Sequence, residues 1–336
     1  MTRARRNLID LTSSSYYHVI SRCIRRSYLC GDDSYSGQNF DHRRIWIQDR
    51  IKHLSTVFSI KIAAYAIMSN HYHLVLNVNK LAANSWDDDE VIKRWYQLYN
   101  GNVLVNRYLA GEKLDTACLY RIKMFVQKWR ERLYDISWFM KNLNEFIARA
   151  ANKEDNCTGK FWEGRFKSQA LLDETAILSC MIYVDLNPIR AKMANSLTDS
   201  DFTSIQERIK QFASFKKQEK KSHINNEISV PKQPLKLLLF GSSQNEGASQ
   251  NDGTIPFTLY DYLELADWSG RLINPKKRGS ISESEPKILT VMHIEQDSWL
   301  NTILFFRRQY GNFSGSRSSL LKCAHEHKDK WYKGVG

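Results

Sequence analysis

Residues Ser69 to Leu76 read SNHYHLVL, an apolar run of strand-like composition that carries two histidines one residue apart. Strand side chains alternate between faces, so His71, His73 and Val75 share one side, and Tyr72, Leu74 and Leu76 the other. Two imidazoles on one rigid face can share a metal ion, because histidine is the commonest side-chain metal ligand. A half-solvated sheet with two structural histidines fits the same residues, so the surroundings must decide. Upstream, KIAAYAIM (Lys61 to Met68) reads as a second strand, with Ser69 and Asn70 as the turn between them. YYHVISRCI (Tyr16 to Ile24) has the β-branched and aromatic content of another strand, followed by the basic loop residues Arg25 and Arg26. DHRRIWIQDRIKHLSTVFS then spaces Ile45, Ile47, Ile51, Leu54 and Phe58 for a helix behind Asp41, a candidate N-cap. The opening therefore reads strand, helix, strand, strand, and predicts an α+β fold.

The charge balance narrows the partner. Forty-nine Lys and Arg against thirty-six Asp and Glu leave +13 over 336 residues, which suits a polyanion or an anionic membrane surface. No apolar run approaches the roughly 20 residues that a membrane helix needs. The basic start MTRARRNLIDLTSSSYY has no apolar stretch of the signal-peptide kind, so a cytoplasmic protein without membrane contact is expected. Six cysteines (Cys23, Cys30, Cys118, Cys157, Cys180, Cys323) form no C-x-x-C pair, so neither a disulfide framework nor a zinc ribbon is indicated. Cys323, His325 and His327 cluster in a polar segment that reads as a solvated helix end.

From Trp86 to about Tyr134 the sequence changes to long helical patterns rich in aromatics, including Trp95, Tyr96, Tyr99, Tyr108, Tyr120, Phe125 and Trp129. Arg121, Lys123, Lys128, Arg130 and Arg132 are interleaved with them against one acid, Glu131. Such a mixture suits single-stranded nucleic acid, where stacking contributes roughly 1 to 3 kcal/mol per base. An amphipathic helix with an ordinary charged face accounts for the same residues. A further helix runs from Asp135 to about Ala151, and TGKFWEGRFKSQALLD reads as a loop entering a strand. In DETAILSCMIYVDLNPIRAKMA, Asp173 can cap a helix that Pro188 limits, with Leu178, Met181, Ile182, Leu186 and Ile189 as its buried stripe. Residues from about Gln211 to Pro256 are Lys-rich, then Ser-, Asn- and Gly-rich, and read as a flexible linker around LKLLLF.

On that capped helix Tyr183 and Asn187 lie four apart and share a face, which puts the tyrosine half exposed at the edge of the core. The asparagine oxygen can act as a third ligand to an ion held by His71 and His73. Such an ion polarises a phosphodiester, and a tyrosine hydroxyl in line with phosphorus can attack it to give a phosphotyrosine. A phenol titrates near 10, so attack needs help, for which Arg165 and Lys167 on the neighbouring strand are candidates. A covalent link keeps the energy of the cleaved bond, which makes this strand-transfer chemistry rather than simple hydrolysis.

YYHVISR, NHYHLVL, FWEGRFKSQ and YVDLNPIRAKM, in this order over about residues 14 to 195, resemble the HUH single-tyrosine transposases, in particular the REP-associated tyrosine transposase branch. The resemblance implies a ferredoxin-like core with an antiparallel sheet, the histidine pair on a central strand and the tyrosine on a helix facing it. It implies His71 and His73 as metal ligands, Asn187 as the polar ligand, Tyr183 as the nucleophile and Mg2+ or Mn2+ as the cofactor. It further implies cleavage of single-stranded DNA beside REP-like hairpins, the enzyme becoming joined to the 5′ phosphate; a monomer or homodimer is expected, a choice the resemblance leaves open. The candidate DNA contacts are Arg22, Arg25, Arg26, Arg121, Lys123, Lys128, Arg130, Arg165 and Lys167. The domain layout expected is a catalytic domain over 1–205 with a helical insertion at about 86–134, a flexible linker over 206–256 and a small helical accessory domain over 257–336. The insertion exceeds what a minimal member needs, and everything after about Ser200 lies outside the resemblance. A domesticated hairpin-binding protein is the alternative. A zinc hydrolase built on H-x-H would need a further His or Asp on a later strand, which the sequence lacks.

Overall fold

The computed structural model describes residues 8–24, 29–33, 37–219, 237–241, 254–273 and 286–334. Five strands, β1 (Tyr16–Arg22), β2 (Ile60–Ile67), β3 (His71–Val78), β4 (Lys167–Leu171) and β5 (Phe313–Ser314), form one sheet in the order β2-β3-β1-β4-β5. The first four pair antiparallel, and β5 joins β4 in parallel. The β2–β3 hairpin closes over Ser69 and Asn70, where Met68 N donates to His71 O at 2.9 Å. Helices α1 (His42–Val57) and α6 (Ile136–Glu154) lie in sequence between strands, so the core runs β1-α1-β2-β3-α6-β4. With the spatial order β2-β3-β1-β4 this is the split β-α-β arrangement of ferredoxin-like folds, an α+β architecture.

Strand alternation decides what each face carries. The Tyr72 face takes α1 and α6: Tyr72 donates to Asn144 Oδ1 of α6, and Asn144 Nδ2 donates to Ser21 Oγ of β1 at 3.0 Å. Phe58 at the end of α1 meets Phe139 of α6 edge-on at 5.4 Å. The histidine face takes α7 (Glu174–Asp185), which is buried on every side from Ala176 to Asp185. Asp41 stands where the sequence places the cap of α1, yet its side chain caps nothing: Arg44 holds it, Nε to Oδ1, at 3.0 Å.

Between β3 and α6 lie α2 (Lys80–Ser85), α3 (Asp88–Tyr96), α4 (Val103–Leu109) and α5 (Thr116–Leu133). The last three start at Asp87, Asn102 and Asp115, whose side chains accept first-turn amides, the local reason the insertion is helical. Its aromatics mostly serve one another. Trp95 stacks on Tyr99 at 4.4 Å and on Trp129 at 5.7 Å, and Trp129 on Phe125 at 6.1 Å, so these rings form a mini-core rather than a platform for bases. Tyr120 stays exposed.

After α7 come α8 (Asn187–Arg190), α9 (Ser204–Glu219), α10 (Leu259–Ile273), α11 (Lys287–Val291), α12 (Gln296–Gln309) and α13 (Arg317–Glu326). Where composition suggests a linker from residue 206, the chain is helical through Glu219, and Ile205 and Arg208 are buried. Leu237 pairs with Ile62 of β2, and Leu237, Leu238 and Phe240 are buried, so the described end of LKLLLF, from Leu237, is anchored to the sheet. Residues 220–236 and 242–253 of the expected linker lie outside the described residues. The tail, expected as an accessory domain, contributes β5 to the sheet and so covers an edge of β4 that would otherwise be bare. His327 ties it to the N-terminus, bonding Asp10 at 3.0 Å and Ser13 at 3.1 Å, with the neighbouring Cys323 buried. None of the six cysteines forms a disulfide, and among the described residues no helix is long and apolar enough to cross a membrane.

Asp173 joins the two halves. Its Oδ1 accepts Ala176 N of α7 at 2.9 Å and its Oδ2 accepts Ser316 N of the tail at 2.7 Å. Asp173→Ala is expected to cost about 1–2 kcal/mol of stability, read as a lower denaturant midpoint. Asp173→Asn keeps one acceptor oxygen and should recover part of that loss; an unchanged midpoint in the alanine variant would refute the tie.

Candidate active site

Cross-strand register builds the site. Ile20 of β1 stands opposite His73 and Val75 opposite His18, so His18, His73 and His71 project from the same face as diagonal and alternate neighbours. His71 and His73 have ring centroids 4.9 Å apart, and His18 and His73 stack at 5.1 Å. His18 and His73 are buried and His71 is half-buried. Burial pushes the His71 imidazole down to about 4, helped by the positive charges of Arg307 and Arg22, and pushes His18 down to about 3. Burial and its histidine and arginine neighbours lower His73 in the same direction. All three are therefore neutral at pH 7, the form that ligates metals.

Tyr183 comes from α7, which Asp173 starts and whose register turns the ring onto the histidines: 5.8 Å from His73 and 6.0 Å from His18, both edge-on. The half-exposed position expected from the sequence is corrected here: Tyr183 is 5% exposed. The tail covers it. Phe306 of α12 stacks on Tyr183 at 5.4 Å, and the Arg190 guanidinium lies 4.5 Å from the ring centre. Arg190 also donates to Leu304 O at 2.9 Å, next to the residue, Phe305, where the path of α12 breaks (φ −118°, ψ 18°). A side chain that takes a carbonyl out of the helical ladder is a recognised cause of such a kink.

Beside the histidines opens a cleft of about 430 Å³ lined by Arg22, His71, Glu163, Arg165, Lys167 and Arg307, among others. Three predicted DNA contacts, Arg22, Arg165 and Lys167, thus meet one predicted ligand, and Glu163 approaches Arg22 at 3.9 Å. Neither Tyr183 nor His73 lines this cleft, and Phe306 covers the Tyr183 ring. Arg121, Lys123 and Lys128 are exposed on α5, which packs on α3 and α6 on the Tyr72 side of the sheet, so the structure does not bring them to the cleft. Arg130 is a correction: its guanidinium is buried and donates to Ala83 O, Trp86 O and Asp88 Oδ1, which consumes it in holding α2 and α3 to α5. Arg25 and Arg26 lie outside the described residues.

Among the described residues no group of three or more His, Cys, Asp and Glu side chains is arranged to hold a metal ion, so a metal here depends on an amide as well as imidazoles. His71 Nδ1 is bonded to Asn70 Oδ1 at 2.6 Å and His73 Nδ1 to His18 Nε2 at 2.9 Å. In each ring the other nitrogen makes no hydrogen bond among the described residues, the pattern of a ligand oriented through its far side. Asn187 is buried with its Nδ2 unpartnered. A half-turn about the last side-chain bond would present Oδ1 in its place. Two neutral imidazoles and an amide oxygen are donor types that suit a divalent cation, Mn2+ better than Mg2+, since imidazole nitrogen is the softer donor.

His18, Arg190, Phe306 and Arg307 escaped the sequence reading. His18 sits in YYHVISR with the parity of Ile20 and Arg22, but without the strand register nothing links it to His73. Phe306 and Arg307 belong to a tail with no motif. No family model matches the sequence, and no curated protein matches it. A solved structure to which the chain is similar, a REP-associated tyrosine transposase bound to a REP hairpin, aligns at a TM-score of 0.37 and 12% identity, over 72% of this chain and 100% of that one.

Proposed function

We propose that this chain cleaves and rejoins single-stranded or hairpin DNA through a tyrosine–phosphate link, as a metal-dependent, transposase-like strand transferase. The observation that carries the reading is a buried tyrosine packed 5.8 Å from one of two adjacent neutral histidines, the other of which lines a cleft with four cations. The four ordered motifs point the same way.

Arg22, Arg165, Lys167 and Arg307 grip backbone phosphates in the cleft. Arg190 lies over the Tyr183 ring and holds it in place against the sheet by a cation–π contact. His71, His73 and the Asn187 oxygen would hold Mg2+ or Mn2+, which supplies Lewis-acid stabilisation of charge on the non-bridging oxygens. As Tyr183 Oη bonds to phosphorus the bond from phosphorus to the 3′ oxygen breaks. The 5′ phosphate stays on the tyrosine, and the proton lost by the phenol is balanced by the one the departing 3′ oxygen takes up. Entry of the phosphate displaces Phe306 from the ring. That cover favours one alternative, a hairpin-binding protein with little cleavage, and the same assay separates the two.

The test incubates the protein and a labelled hairpin with a single-stranded flank, with Mn2+ or with chelator. A denaturation-resistant adduct with Mn2+, mapped to the peptide carrying Tyr183, is expected. Binding without any adduct would overturn the enzymatic reading. Hairpin affinity should fall with a log–log salt slope of about −3 if the four cleft cations each meet a phosphate.

A further inference from the structure

His73 does not face its metal role alone. Gln169 of β4 stands opposite His18 of β1, and its Nε2 donates to Gly311 O at 2.7 Å. A carbonyl only accepts, so the amide nitrogen must face Gly311 and Oε1 must face His18. Gln169 Oε1 lies 3.4 Å from His18 Nδ1, a long contact whose direction is nonetheless fixed, because the oxygen only accepts. His18 therefore carries its proton on Nδ1. A buried imidazole with no carboxylate bonded to it among the described residues carries one proton, which leaves His18 Nε2 bare. His73 Nδ1, 2.9 Å away, must then be the donor, and His73 Nε2 keeps its lone pair.

We propose that His18 is a positioning residue: the directed chain from His73 Nδ1 through His18 and Gln169 to the Gly311 carbonyl locks His73 as the tautomer able to ligate through Nε2. The metal consequence rests on the proposed function; the tautomer does not. Without this relay an isolated imidazole prefers a proton on Nε2, which would block that atom. The far end of the relay, Gly311, belongs to the tail just before β5, so the pairing of β5 with β4 reaches the histidine face through Gln169.

Metal-free protein labelled with 15N-histidine and read by two-bond 15N–1H correlation spectra gives the tautomers directly, with His18→Gln and His73→Gln assigning the signals. Both rings are expected as Nδ1–H, with Nε2 resonating as an unprotonated nitrogen. An Nε2–H His73, or a cationic one, overturns the relay whatever the metal result. Calorimetric titration with Mn2+ adds the consequence. His18→Phe should weaken binding 10–100-fold. His18→Gln, whose Oε1 stands where Nε2 stood, should stay within about threefold of the parent. Equal losses in both variants would overturn the positioning role. The expected tautomers with no Mn2+ binding by the parent would overturn the metal reading and leave the relay standing.

Discussion

Tyr183→Phe is expected to abolish the DNA adduct while leaving the fold and hairpin affinity almost untouched. The substitution removes one oxygen atom and nothing of the packing. Phe306 would still stack on the ring at about the present 5.4 Å, and Arg190 would still lie over it. Among the described residues Tyr183 Oη makes no hydrogen bond, so no partner is left unsatisfied and stability should shift by less than about 0.5 kcal/mol. Affinity should hold within about twofold, since the phosphate-gripping cations are on other elements. Covalent cleavage should drop by on the order of a thousandfold or more, because no other group replaces a lost nucleophile. Adduct formed by the phenylalanine variant at the parent rate would remove Tyr183 from the chemistry.

The second large effect is structural. Arg208 of α9 is completely buried, and donates to Ala63 O at 2.8 Å and to Leu238 O at 3.2 Å. Ala63 sits at the irregularity of β2, between Ile62 and Ala64, where the register with β3 shifts and the carbonyl is released from the ladder. The guanidinium also faces the negative side of a network in which Ser204 donates to Asp185 at 2.6 Å and Tyr262 donates to the same carboxylate. Burial alone pushes the arginine down, and Asp185 and Tyr262 act against that. Arg208→Ala strands two buried carbonyls and opens a cavity, at an expected cost of about 3–5 kcal/mol. Against a total stability of about 5–15 kcal/mol this is a large share, and the melting temperature should fall by about 4–7 °C. Thermal and denaturant unfolding would check it. A change below about 1 kcal/mol would mean that the carbonyls find water instead.

How much of this the sequence carried follows from range. The β2–β3 hairpin, the Asp173 cap and the helical insertion are local events, written in alternation, turn residues and capping side chains that lie within a few residues of their partners. His71, His73 and Tyr183 stand out for the same reason, each in a distinctive short motif, and the structure brings their rings together. Pairings across long separations were not. His18 needs the β1–β3 register, Arg307 needs the tail folded back, and Tyr183 looks half exposed only until Phe306, more than a hundred residues later, is set on it. Arg130 shows the opposite error: its charge suggested a phosphate contact, but a guanidinium has five donors and can be used up by backbone carbonyls, which composition cannot reveal.

Timing on the ribosome is a consequence of β5. It pairs with β4, yet is translated about 140 residues later, a lag of roughly 7–30 s at 5–20 residues per second. Through that interval the emerging polypeptide exposes one unpaired row of amides and carbonyls on β4, a site where neighbouring nascent chains can stick. Chaperone dependence of this protein should therefore centre on that interval, and a nascent chain halted before residue 311 would carry the histidines without the group that orients them.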